Sequence, residues 1–211
     1  MIKPRKKTHF KYIFAVDSET TGVCIGNNDP LYRESTGEHH QALSWGIMVV
    51  DCDTLLPVEE LYLEVKWNET SIKQQEADPK FGTYAENIHG LKRDYLEENG
   101  IDEEEAVIQI AGLISKYWGT SRPLNCLGHN VAFDIRFLHE LLERYGIDLR
   151  FSQRHVDSFG VGFTAWEAYD SDELFALTSD NVRTEHNSLE DIKLTLESIR
   201  TTREVFKLLN V

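Results

Sequence analysis

A single α/β domain on a mixed five-stranded sheet flanked by α-helices is the fold class predicted, and three observations predict it. Three apolar, β-forming runs follow one another before any helical periodicity begins. Helical and strand-like segments then alternate to the end of the chain. No internal repeat, low-complexity tract or linker divides the 211 residues.

The elements follow in order. Tyr12 to Val16 is a continuous apolar run, suited to a strand buried on both faces. A polar stretch from Cys24 to Gln41 reads as a long loop. Leu43 to Val50 is the second strand, a turn spans Asp51 to Pro57, and Leu61 to Val65 is the third strand, so the first three form a meander. Helical periodicity begins near Asp102, with Val107, Ile110, Ile114 and Tyr117 on one face. Leu124 to Leu127 is a short fourth strand. Val131 to Tyr145 is a helix capped by Asn130 and stopped by Gly146. Arg154 to Asp157 is the fifth strand. A last helix carries Leu189, Ile192, Leu196, Ile199 and Phe206 as its apolar stripe, with a capping box at Ser188 that puts Asp191 at its third position.

One domain covers residues 1–211, with residues 1–10 a basic, solvated terminus (the Lys3 to Lys11 cluster). No apolar run approaches a membrane span and no apolar signal core follows the basic residues, which gives a cytoplasmic expectation. Cys24, Cys52 and Cys126 are odd in number and widely spaced, as reduced thiols are. The net charge of −14 argues against an extensive basic face for a polyanion. It does not argue against a site where bound cations reverse the local sign.

Four carboxylates and one histidine raise that second case. Asp17 and Glu19, two apart on a strand, project to the same face at the carboxyl end of β-structure, where open α/β sheets place their ligands. Asp134 lies in the first turn of a helix beside a heavily apolar stripe. His186 precedes Asp191 by five residues, and Asp191 opens the last helix. Each has an ordinary explanation alone, as a strand-end charge, a dipole-favoured acid or a cap. Together they suit two divalent cations, with a histidine to take a proton from water.

Three segments carry a family resemblance: Val16-Asp17-Ser18-Glu19-Thr20-Thr21-Gly22, Gly128-His129-Asn130-Val131-Ala132-Phe133-Asp134-Ile135-Arg136-Phe137-Leu138, and His186-Asn187-Ser188-Leu189-Glu190-Asp191, with Val156-Asp157-Ser158 similar to the strand that follows the second. They resemble the motifs of the DEDDh 3′-to-5′ exonucleases of the ribonuclease H-like superfamily. Proofreading subunits of bacterial replicative polymerases, oligoribonuclease and ribonuclease T belong to that family. Asn87-Ile88-His89-Gly90-Leu91 is similar to a segment of the proofreading branch, and the similarity runs from about Lys11 to Leu209.

The resemblance implies a ribonuclease H-like fold. It implies two Mg²⁺ or Mn²⁺ ions on Asp17, Glu19, Asp134 and Asp191, and His186 as general base. It also implies release of 5′-mononucleotides from single-stranded 3′ ends. Thr20, Thr21 and Gly22 would lie along the terminal nucleotide, and His89 and Leu91 beside the terminal bases. DNA is favoured as substrate; an RNA-directed enzyme of the same family is the alternative. A non-catalytic binding module of this fold is disfavoured because no member of the motif is missing. An aspartyl-phosphate phosphatase, suggested by Asp17-x-Glu19-x-Thr21, would leave Asp134 and His186 without roles. No protein partner is evident, and a homodimer is left open. The loop from Cys24 to Gln41 and the segment from Trp67 to Tyr84 are longer than the resemblance requires. His39 and His40 in that loop lack the further ligands of a metal site.

Overall fold

The computed structural model describes residues 10–25, 39–119, 123–180, 183 and 186–209. Most of the basic N-terminal cluster, and the Cys24–Gln41 loop between residues 26 and 38, lie outside the described residues.

The sheet forms around long apolar runs in its central strands, Tyr12 to Val16 in β1 and Ile47 to Val50 in β2. β1 (Tyr12–Thr20) pairs antiparallel with β2 (Ala42–Asp51), and β2 with β3 (Pro57–Glu64). β4 (Cys126–Gly128) lies parallel to β1, and β5 (Val156–Asp157) parallel to β4, giving the order β3-β2-β1-β4-β5. The expected mixed five-stranded sheet and its meander are therefore present. The fifth strand is shorter than the run from Arg154, and the third begins at Pro57.

Strand periodicity sorts β1 onto two cores. Phe14 and Val16 pack with α4 (Glu103–Trp118) and α5 (Ala132–Arg144) in the larger cluster. Ile13 and Ala15 face α8 (Ser188–Leu208) through Ile192 and Leu196. Phe14 is fully buried, and burying such a side chain stabilises the fold by about 1.5–3 kcal/mol.

Helices α1 (Glu69–Ala77), α2 (Thr83–His89) and α3 (Arg93–Asn99) occupy the segment that the sequence left without elements. They rest on a small core of Leu43, Trp67, Phe81 and Leu96, against which Leu91 packs. After β5 come α6 (Ser158–Trp166) and α7 (Ser171–Thr178), which pack on α8 around Leu174, Phe175 and Leu194.

Two helix starts differ from expectation. Asn130 does not cap α5: its φ is +54°, and the helix begins after Val131 without a side-chain cap. The Asp157 carboxylate instead accepts from the N–H groups of Asn130 (3.0 Å) and Val131 (3.2 Å), satisfying donors at that end. At α8 the cap is Asn187, whose Oδ1 accepts from Leu189 and Glu190 N–H, so Ser188 is already helical and Asp191 is its fourth residue. An asparagine reaches these donors as well as a serine does, and it frees the Ser188 hydroxyl to meet Ser44 Oγ at 3.0 Å.

Among the described residues no helix is long and apolar enough to cross a membrane, and the three cysteines form no disulfide.

Candidate active site

Asp17 and Glu19 leave β1 on the face that α8 covers, and β2 makes room there. Gly46 is paired with Asp17 across the β1–β2 ladder, and a Cβ at Gly46 would stand 2.3 Å from the carbonyl carbon of Ser188. The missing side chain lets the first turn of α8 settle onto the sheet beside Asp17. Asp191, on that turn, is carried in with it. No side chain fits at position 46 without moving α8 and Asp191 away.

Asp134 arrives from the other layer. It sits in the first turn of α5 and is 2% exposed, beside Phe137 and Leu138. Ser18, whose side chain points away from those of Asp17 and Glu19, donates to Asp134 Oδ1 at 2.7 Å. Gly128 permits the close turn beneath: a Cβ there would be 2.8 Å from the Val16 carbonyl oxygen. The parallel pairing of β1 and β4 thus brings the start of α5 to the carboxyl end of β1.

Glu19, His186 and Asp191 bring ligand atoms that all lie within 4.8 Å of one another. Asp17 is coupled electrostatically to Asp134, Asp191 and Glu19, so all four acids share one field. The structure therefore collects the five residues singled out in sequence. It leaves Asp191 Oδ1 buried without a hydrogen-bond donor among the described residues. A buried carboxylate oxygen with no partner, amid further oxygen and imidazole donors, is a donor set that fits divalent cations.

The energetic consequence is proton retention. Burial, reinforced by the neighbouring acids, holds Asp17 well above the usual carboxylate range, and burial raises Asp134 despite the Ser18 bond. Burial and then Asp191 push Glu19 from 4.5 to about 7. Burial raises Asp191 from 3.8 to about 6, against the pull of Arg183. His186 moves the other way: burial and the Arg183 charge lower it, so its imidazole is neutral near neutral pH and able to accept a proton.

A pH dependence follows. Between the ordinary and the raised values the folded protein holds protons that the unfolded chain has released. The associated stability is therefore full at low pH and is lost as pH rises through about 6 and 7. In chelator, the melting temperature should fall from about pH 5.5 to about pH 8. Added Mn²⁺ should raise it by an amount that grows over the same range, because only the ionised acids bind the cation. Scanning fluorimetry measures both, and a metal-induced rise that shrinks with pH would contradict the cluster.

The other expected contact residues are linked to one another at the end of β1. Thr20 donates to the Gly22 carbonyl at 2.7 Å. Thr21 is 2% exposed; its hydroxyl accepts from Gln41 N–H at 3.0 Å and shares a hydrogen bond with His40 Nδ1 at 3.1 Å. The side chains of this turn face inward, which leaves its backbone to meet a ligand. Gly22 is required by His40, whose Cε1 would lie 2.4 Å from an added Cβ. His40 stacks on Phe81, and His39 Nε2 lies 3.2 Å from Glu140 Oε1, so both histidines are committed to packing and pairing outside the acid cluster. His89 Nδ1 accepts from Leu91 N–H at 3.0 Å, which leaves the proton on Nε2, donated to the Thr20 carbonyl at 3.2 Å. His89 therefore pins the end of β1, with its ring nitrogens both engaged.

Two participants were missed in sequence. Asp157 anchors the entry to α5, as described above. Arg183 reaches into the acids: one guanidinium nitrogen pairs with Asp191 and the other donates to Asp172 Oδ1 at 3.0 Å. A signal was available, since Arg183 is the only Lys or Arg between Arg154 and Lys193.

No family model matches the chain, and no curated protein resembles it in sequence. Solved structures do resemble it in fold. The nuclease domain of 3′hExo, a DEDDh family member solved bound to rAMP, superposes with a TM-score of 0.64 at 13% identity, covering 95% of this chain and 94% of that one. A 3′-exonuclease solved for 3′-end-specific recognition of a histone mRNA stem-loop gives 0.63 at 14% identity, over 95% and 84%. A moderately thermophilic Exonuclease I from Methylocaldum szegediense gives 0.60 at 20% identity; this chain covers 92% of itself but 40% of that enzyme. The fold is that of the DEDDh exonuclease domains.

Proposed function

We propose that this chain is a divalent-metal-dependent exonuclease that removes 5′-mononucleotides from the 3′ end of single-stranded nucleic acid. The observation that carries it is the convergence of Asp17, Glu19, Asp134, His186 and Asp191 at the carboxyl end of β1, in a fold shared with known 3′ exonucleases. The neighbours' reported ligands, rAMP in one and an RNA 3′ end in another, agree with a site for a terminal nucleotide.

Asp17, Glu19, Asp134 and Asp191 would hold two Mg²⁺ or Mn²⁺ ions, which when bound supply Lewis acidity and neutralise charge at the phosphate. His186 accepts the proton of the attacking water on its imidazole, which its lowered basicity keeps free at neutral pH. Ser18 fixes the rotamer of Asp134, and Gly46 sets the depth of Asp191. The backbone of Thr20, Thr21 and Gly22 would meet the terminal nucleotide, and His89 and Leu91, tied to the end of β1, would come beside the terminal bases. The 3′ polarity is taken from the neighbours, two of which are 3′-exonucleases, and the reading has one nucleotide released at a time.

DNA is the favoured substrate and RNA the alternative. The acidic surface favours a short footprint with few phosphates neutralised. The test is hydrolysis of end-labelled single-stranded DNA, RNA and short oligomers with Mg²⁺, Mn²⁺ or chelator. Shortening from the 3′ end with a cation, and none in chelator, is expected.

A further inference from the structure

Arg183 sits where a metal-binding site has least use for a cation. Its side chain is 16% exposed and that of Asp191 is 7% exposed, so the pair is largely withdrawn from water. The Nη1 group holds Asp172 at 3.0 Å and Ser171 Oγ at 3.2 Å, while Nη2 grips Asp191 Oδ2. Its charge also bears on Asp17, Glu19 and His186. Among the described residues it is the cation that offsets the acid cluster.

The grip is incomplete. Among the described residues, Arg183 Nε is buried with no acceptor and Asp191 Oδ1 is buried with no donor, so the bidentate fork that makes Arg–carboxylate pairs strong is not formed among them. Each unmet group carries an uncompensated desolvation penalty. A divalent cation carries twice the charge and, as Mg²⁺ does at about 2.0–2.1 Å, approaches a carboxylate oxygen well inside hydrogen-bond range. On Coulomb grounds it outcompetes one guanidinium nitrogen for Asp191. Arg183 need not leave the site, because Asp172 and Ser171 retain it through the other nitrogen.

We propose that Arg183 is a resident counter-cation that competes with the divalent metal for Asp191. It holds the acids together in the metal-free protein and sets the metal concentration at which the site loads. This inference rests on the metal-site reading above. It makes the arginine a gate on loading rather than a strut for Asp191, and the two roles predict opposite signs.

The test is calorimetric titration of MnCl₂ alone, without nucleic acid, into the full chain and into Arg183→Gln at about pH 8, above the raised values of Glu19 and Asp191. Competition predicts that Arg183→Gln binds Mn²⁺ about tenfold more tightly, near 1.4 kcal/mol. It also predicts a lower melting temperature in chelator, from lost charge balance. Arg183→Lys, which keeps the charge without the fork, should fall between the two in affinity and serves if the glutamine variant does not fold. Equal or weaker Mn²⁺ binding by the variants overturns the proposal and leaves Arg183 as a strut. Binding of Mn²⁺ to none of the proteins, wild type included, overturns the metal-site reading and this inference with it.

Discussion

Asp17→Asn should abolish nuclease activity, lowering the rate with saturating Mn²⁺ by roughly a thousandfold or more while the fold survives. Bound metal ions contribute several kcal/mol of transition-state stabilisation in such sites, and each 1.4 kcal/mol is a factor of ten in rate. Asparagine preserves the shape but removes a ligand charge from a group coupled to all three other acids. The same substitution should raise the melting temperature in chelator, because it removes repulsion that the folded protein otherwise relieves by holding a proton. Single-turnover kinetics and thermal scans read the two effects on one preparation. Activity retained within a few-fold would remove Asp17 from the chemistry.

His186→Ala should cut the rate by roughly a hundredfold to ten-thousandfold, the usual range for a positioned general base. Its imidazole belongs to the same 4.8 Å group as Glu19 and Asp191, so it is placed either to take a proton or to donate to a metal. The lowered basicity favours the proton. The wild-type rate should then hold to somewhat lower pH than an ordinary histidine would allow, and the alanine variant should bind Mn²⁺ with little change. Loss of Mn²⁺ binding on His186→Ala would make the residue a ligand and require another base.

Much of this was legible in sequence because its causes are local. β1 opens with the apolar run Tyr12 to Val16 and β2 is apolar from Ile47 to Val50, a pattern that suits strands buried on both faces. α4, α5 and α8 declare their inner faces at helical spacing. α1 does not: only Ile72 and Ala77 are apolar in it, and Ser71 is its one buried residue. α6 contains Gly160 and Gly162 and no apolar stripe, and it is held through contacts with α7 and α8 instead. The misplaced caps share a cause. Asn130 is a good cap by type, but the turn at β4 drives it into the left-handed region and gives its role to Asp157, 27 residues on.

The candidate site divides the same way. The five chemical residues announce themselves by type and order. The devices that seat them are Gly46 under Ser188, Ser18 on Asp134, and Arg183 against Asp191, and all are long-range or set by a missing atom. Gly46 within an otherwise continuous apolar strand was readable as a point of close approach, and Arg183 as a lone cation in an acidic stretch.

The central claim is direction as well as chemistry, and one measurement reaches both. A single-stranded oligonucleotide is labelled on its 5′ end or on its 3′-terminal nucleotide and incubated with Mg²⁺. A 3′ exonuclease built on this site releases the 3′ label at once as a mononucleotide and converts the 5′-labelled strand into a descending ladder. Both reactions stop in chelator and with Asp17→Asn. Early release of the 5′ label, internal fragments, or hydrolysis that persists in chelator would contradict it.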